Sequence, residues 1–368
     1  MENRLVSVSY APHVHEGISV KSVMWQVVAA LSPAVIASYI FFGLPALFLT
    51  IYSVAAAVIS EAIIQKWRGV AVSVADGSAV VTGMLLAFNL PSHVPWWMAV
   101  LGSVFSIVVG KQVFGGLGFN ILNPALLGRA FLVASWPTAM TSSWLRTNLG
   151  SLNGSPNYPI TTASAAATSL LSTATPLGVV KALRDPSYIT TLGVNYDQGV
   201  EIAETMVNRL SSLNVLQSLF WGDIGGCLGE TSAIALLAGA AYLAAKHIIG
   251  WRIPTFYIGT VAILTYIFGG IDGIFSASLL LPVFHIFSGG LILGAFFMAT
   301  DMVTSPLSRK GRIYFGIGCG ILTALIRLYG GYPEGVSYSI LLMNLFVPLI
   351  DKYTKPRFFG YRKKKVQK

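Results

Sequence analysis

Ser172-Thr173-Ala174-Thr175-Pro176-Leu177 is a run of hydroxyl side chains closed by a proline. A Ser/Thr-x-Ala-Thr ending is the form of segment on which a flavin transferase esterifies FMN, through its phosphate, to the last threonine. That chemistry would make Thr175 the acceptor, with Ser172, Thr173 and Ala174 completing the segment the transferase reads. A tetrapeptide recurs by chance, so the rest of the chain has to give it meaning.

Other polar residues stand out because their surroundings are apolar. Arg129 follows Asn123-Pro124 inside an apolar run. A guanidinium at the centre of a bilayer helix costs about 2.5–3.5 kcal/mol on insertion scales, so it must face inward and find a partner. Its planar fork suits a flavin phosphate or ring carbonyl, or equally a structural carbonyl or carboxylate, and both readings stay open. Glu230-Thr231-Ser232 opens another apolar run, where Thr231 or Ser232 can cap a helix and Glu230 complements its dipole. Capping alone accounts for this segment, while lining a cofactor or ion path is the second reading. Asp301 ends the run through Met298 at the helix end where a carboxylate is disfavoured, which points to Arg309, Arg312 or a cation as its partner. Asp76-Gly77-Ser78 reads as a cap, and Glu61 is expected at the headgroups. No metal-ligand cluster, nucleophile–base pair or phosphate loop is present in the sequence, and Cys227 and Cys319 fit no iron–sulfur spacing.

The elements that must position these residues are membrane helices. Of 368 residues, 54% are apolar and 10% charged, against about 25% charged in soluble domains. Spans of about 20 apolar residues cross a bilayer. Ten are expected, over 22–43, 45–65, 77–92, 95–114, 120–137, 231–249, 253–271, 275–300, 312–330 and 336–351. The chain then divides into a short arm (1–21), a first five-helix unit (22–137), a polar insert (138–230), a second five-helix unit (231–351) and a basic tail (352–368). The net charge of +10 gathers largely in that tail, as basic residues do beside anionic lipid, and is no nucleic-acid footprint. Lys66, Arg68, Lys111, Lys246, Arg252, Arg309, Lys310 and Arg312 fall in connections of one side, so the positive-inside rule puts both termini in the cytoplasm and the insert with Thr175 outside.

Weak self-similarity joins the two units. Phe114-Gly115-Gly116 is answered by Tyr329-Gly330-Gly331, Leu126-Leu127 by Leu341-Leu342, Phe131 by Phe346, and more loosely Gly83 by Gly294. Five helices per unit is an odd number, so the second copy would lie upside down, an arrangement that builds a site at the repeat interface. Small residues at i, i+4, such as Gly290/Gly294 and Gly316/Gly320, read as helix packing.

Five segments in order carry a family resemblance: 76–83, 123–131, 172–177, 229–233 and 289–301. Together they make the chain similar to RnfD, the D component of the Rnf electron-transport complex, which is related to the B component of the sodium-pumping NADH:quinone reductase. The short arm with Pro12-His13 resembles the former more. The resemblance implies an all-α, polytopic, urea-transporter-like fold of two inverted five-helix repeats in the inner membrane of a prokaryote. It implies FMN on the threonine matching Thr175 and leaves room for a noncovalent riboflavin in the membrane part. The candidate cofactor-binding set is then Ser172, Thr173, Ala174 and Thr175 with Asn123, Arg129, Glu230, Thr231 and Asp301. The implied partners are iron–sulfur, NAD-binding and extracytoplasmic FMN subunits and a flavin transferase. The implied role is an electron relay in a ferredoxin:NAD oxidoreductase that moves Na+ or H+, with no turnover by this chain alone. Ser169 departs from the acidic residue usual six positions before the acceptor, and Thr173 from the usual Gly or Ser. The quinone-reductase component, a channel-like transporter and a flavin-free scaffold are the rival readings.

Overall fold

The computed structural model describes residues 19–92, 94–141, 177, 213–222, 226–230, 232–269, 280–330 and 335–355. Among these, every named element is helical. In chain order they are α1 (Val20–Phe42), α2 (Leu44–Trp67), a 3-10 turn (Val74–Asp76), α3 (Ser78–Phe88) and α4 (Trp96–Ile107), which continues as a π turn (Val108–Gln112). Then come α5 (Pro124–Ser135), α6 (Pro137–Thr141), α7 (Leu213–Trp221), α8 (Ala233–Ala245) and α9 (Arg252–Phe268). The chain closes with α10 (Leu280–Phe287), α11 (Leu291–Leu293) with its π turn (Gly294–Met298), α12 (Arg309–Tyr329) and α13 (Val336–Tyr353).

Local chemistry sets these limits. Ser19 Oγ accepts the Ser22 amide at 3.1 Å and starts α1. Gly43 stops it at φ +75°, a backbone open to glycine at little cost, and a proline sits in the first turn of α2. The outer faces of both helices are apolar: Ile36, Ile40, Phe48, Ile51, Ile59 and Ile63 are all exposed. Contiguous apolar surface of this extent belongs against another apolar phase, and the chain is a membrane protein. By length and composition α1, α2 and α12 each suffice to cross a bilayer, and the helices α10 and α11, bent by 67° at their break, are together apolar and long enough for a broken span or a re-entrant loop.

The expected spans 77–92, 120–137, 231–249 and 253–271 are shorter apolar helices, α3, α5, α8 and α9. The expected 77–92 helix ends at Phe88, and residues 89–92 leave it as a turn that pairs with 227–229. Leu228 N–H donates to Leu90 O at 3.0 Å and Gly229 N–H to Phe88 O at 2.9 Å. Irregular backbone is tolerated at membrane depth only where protein satisfies it in this way. The expected 275–300 helix is likewise broken at Ser288-Gly289-Gly290.

Packing follows a recurring pattern. α2 packs on α4 as α9 packs on α12, and α4 on α5 as α12 on α13, while α1 meets α8 and α5 meets α13. Close approach needs small residues. At Gly83 in α3, a Cβ would stand 2.7 Å from Val54 Cα of α2. Ser53 Oγ seals the same contact, donating to Gly83 O at 2.7 Å. Gly259 in α9, by contrast, has nothing within 4 Å of that position.

Gly83→Ala is therefore expected to destabilise the protein by about 1–3 kcal/mol through overpacking. Gly259→Ala should be neutral or gain up to about 1 kcal/mol from helix propensity. Thermal unfolding of the two variants in detergent compares them directly.

Candidate functional site

Two charges that the sequence places at the membrane surface are inside the protein. Glu61 of α2 and Lys111 of the π turn after α4 have side chains 1% and 2% exposed, and Lys111 Nζ lies 2.7 Å from Glu61 Oε1. This corrects the expected headgroup position of Glu61 and removes Lys111 from the loop charges counted for orientation. Glu61 Oε1 also accepts from Gln65 Nε2 at 3.2 Å and Gln112 Nε2 at 2.9 Å. Lys111 Nζ donates in addition to Ser78 Oγ at 2.6 Å, at the start of α3. Ser78 Oγ in turn donates to Asp76 Oδ1 at 2.6 Å, which also accepts the Ser78 amide at 2.8 Å.

Lys111 and Ser78 form part of the wall of a cavity between the first and second halves of the chain. Val27 of α1, Leu85 of α3 and Phe297 of the second π turn supply apolar walls, and Asn120, Asn123, Thr300 and Asp301 supply polar groups. Asn123 is fixed because it caps α5: its Oδ1 accepts from Ala125 N–H at 3.1 Å, and its Nδ2 donates to Met298 O at 3.3 Å. Asp301 follows the second π turn. Its expected arginine partners go elsewhere or are not engaged by it: Arg312 Nε donates to Pro306 O at 3.1 Å. Asp301 instead accepts from Thr304 Oγ1 at 3.0 Å and Val303 N–H at 3.4 Å. Burial pushes its carboxyl up from the usual value, and those hydrogen bonds oppose the shift.

Arg129 and Glu230 occupy a second polar cluster, where α3 ends against the 226–230 segment. Arg129 Nη1 donates to Asn89 Oδ1 at 2.7 Å and Ser337 Oγ at 3.0 Å, so a side-chain amide carbonyl and a hydroxyl are among its inward partners. Glu230 Oε2 accepts the Cys227 amide at 3.5 Å. Ser232 caps α8 by accepting from Ala235 N–H at 3.3 Å. Arg327 of α12, which the sequence did not single out, is 5% exposed. It donates to the carbonyls of His285 and Ser288 at the end of α10.

The structure thus brings Asn123 and Asp301 to one cavity and Arg129 and Glu230 to another cluster. Ser172, Thr173, Ala174, Thr175, Ser169 and Thr231 lie outside the described residues. Leu177 is described: it is 4% exposed, and its Cδ1 lies 2.7 Å from where a Cβ on Gly289 would be, beside the Arg327 guanidinium. Glu61, Lys111 and Arg327 could have been found by asking every charge within an apolar run for its buried partner.

The chain matches the NQR2, RnfD, RnfE family over residues 7–360, and it belongs to that family. It is 46% identical over 358 residues to the D component of the Na(+)-translocating ferredoxin:NAD(+) oxidoreductase complex of Acetobacterium woodii, covering 97% of this chain and 96% of that one. It is 44% identical over 363 residues to the D component of the proton-translocating ferredoxin:NAD(+) oxidoreductase complex of Clostridium ljungdahlii, covering 99% and 98%. It is 41% identical over 347 residues to the D component of the ion-translocating oxidoreductase complex of Stutzerimonas stutzeri, covering 93% and 92%.

The buried pair sets a stability test. Glu61→Leu alone leaves an uncompensated ammonium in the interior and should cost about 3–5 kcal/mol. Adding Lys111→Met removes that charge and should recover most of the loss, since apolar replacements of buried ion pairs are often neutral or better. Thermal unfolding of the single and double variants in detergent reads the difference.

Proposed function

We propose that this chain is the electron-carrying membrane subunit of an ion-translocating ferredoxin:NAD oxidoreductase complex, with FMN esterified to Thr175. The observation that carries the reading is identity of 44–46% along nearly the whole length of the D components of two such complexes, joined to the acceptor-type segment Ser172–Thr175. One relative is named for Na+ and the other for protons, so the coupling ion is left unassigned. The partners follow from the same reading: iron–sulfur, NAD-binding and extracytoplasmic FMN subunits, together with a flavin transferase that loads Thr175.

The ten-span architecture belongs to this proposal. Residues 22–137 and 231–351 are read as inverted five-helix units, with 138–230 as the outward insert and with the arm 1–21 and tail 352–368 cytoplasmic, in the inner membrane. The matched packing of α2–α4 with α9–α12, and the contacts of α1 with α8 and of α5 with α13, support it. The acceptor segment would lie close to the membrane part, because Leu177 is buried against Gly289 only two residues beyond Thr175.

The cavity suits a noncovalent riboflavin. An isoalloxazine ring has apolar faces and a polar edge of carbonyls and ring nitrogens. The walls match that division, with Val27, Leu85 and Phe297 offering apolar surface and Asn120, Asn123, Lys111 and Thr300 offering polar groups. Asn123 is held rigid by its own cap bonds. A bound flavin would supply electron transfer; these side chains would orient it and exclude water. Asp301 would line the site, while Arg129, whose fork is turned to Asn89 and Ser337, would act with Glu230 by fixing the neighbouring polar cluster of the core.

Peptide mass spectrometry of this chain, co-expressed with its complex and a flavin transferase, tests the carrier reading. The peptide holding Thr175 should gain the mass of one FMN in phosphoester linkage, and the Thr175→Ala chain should not. A flavin-free Thr175 peptide from an active complex would sink the reading and turn attention to Ser169.

A further inference from the structure

The ion pair of Glu61 and Lys111 has no part in carrying electrons, yet it is an expensive thing to bury. Apolar side chains of similar volume would join α2 to the end of α4 as well or better. Its surroundings show what the charges are connected to. Lys111 Nζ is shared between Glu61 Oε1 at 2.7 Å and Ser78 Oγ at 2.6 Å. The Ser78 hydroxyl is directed onward to Asp76 Oδ1 at 2.6 Å. Asp76 is half-buried and directly follows exposed Ala75, shortly after the exposed segment 67–73. At the other end, Lys111 and Ser78 line the cavity between the two halves. The Ser78 hydroxyl therefore leads from the cavity wall, where it accepts from Lys111, to a partly exposed carboxylate. Lys111 owes its place to a π turn, whose extra residue per turn is common at functional sites.

We propose that Lys111, Ser78 and Asp76 form a proton exit line from the interface cavity, with Glu61 as the fixed counter-charge of Lys111. In one passage Lys111 Nζ gives a proton to Ser78 Oγ as the Ser78 hydroxyl gives its own to Asp76 Oδ1. The line then holds a neutral amine, an intact hydroxyl and a carboxylic acid. Asp76 releases its proton to water, and the amine takes the next one from the cavity, which restores every group. Glu61 stays a carboxylate throughout, held by Gln65 and Gln112. Other charges near the line are Arg68, which donates to Gln112 O at 2.7 Å, and Asp301 on the cavity wall. Lys66 and Lys21, on α2 and α1, are exposed. The proposal rests on the electron-carrier reading only for what feeds protons into the cavity.

The test uses the complete purified complex, with ferredoxin-dependent NAD reduction followed in H2O and D2O across pH. A pH-sensitive dye in weak buffer reports proton release from the same preparations. Ser78→Ala should slow turnover and proton release by about tenfold or more, in line with the loss of a proton-transfer group, and enlarge the solvent isotope effect. Ser78→Thr, which keeps the hydroxyl, should restore both. Asp76→Asn should be slow and lose the wild-type pH profile. Ser78→Ala with wild-type rates and isotope effect overturns the line. Where that variant fails to assemble, Asp76→Asn at wild-type rates overturns it. Flavin content is measured by absorbance on each preparation: missing flavin sinks the carrier reading, whereas slow proton release at full flavin content supports the line separately.

Discussion

Helices that end inside a membrane protein leave backbone groups with no water to bind, and the interior depends on how those ends are closed. α3 stops at Phe88, and strand-like pairing of Phe88 and Leu90 with Leu228 and Gly229 takes up the backbone beyond it. α5 begins at Pro124 because Asn123 turns its side chain onto the first free amides. α8 begins on Ser232, and α10 ends on two carbonyls claimed by Arg327. Each cap fixes a polar side chain at depth, so the same requirement that lets the helices stop also furnishes the inner polar clusters.

This constraint explains what the residues announced and what they concealed. Long apolar runs made α1, α2 and α12 legible, because a helix crossing a bilayer satisfies its own backbone and needs only length. The broken elements were read as whole, since Asn89, Pro91 and Ser92, like Ser288, Gly289 and Gly290, interrupt their apolar runs only briefly, yet the backbone leaves the helix there. The glycines at 289 and 290 signalled a break, but small residues also mark ordinary packing. Ser232 as a cap was legible from its place ahead of an apolar run, whereas the capping role of Asn123 was not read from its sequence.

The site was harder to read because burial is a tertiary property. Glu61 lies one turn from Gln65 and Lys66 near the end of α2, which looks like a headgroup position until Lys111 and Gln112 fold over it from α4. Asp301 has basic residues eight and eleven positions ahead in sequence, yet its oxygens turn to the Thr304 hydroxyl and the Val303 amide. Local turn bonds form without ordering a long side chain, and an arginine must give up far more rotamer freedom to compete. Arg129 was legible as an inward guanidinium; its partners Asn89 and Ser337 were not, because they come from elements 40 and 208 positions away.

The charges also fall unevenly on a packing scheme that repeats. α2–α4 and α9–α12 pack alike; Glu61 and Lys111 join the first pair, while Tyr257 of α9 and Thr323 of α12 join the second at 2.7 Å, with Ser339 of α13 bonded to both at 2.6–3.1 Å. Hydroxyls hold two helices together without the desolvation burden of ions, so packing alone does not require the Glu61–Lys111 pair. Among the described residues, the second half joins α9 to α12 through neutral hydroxyls and turns its buried Arg327 to the end of α10, whereas the first half joins α2 to the end of α4 through a pair of full charges beside the cavity.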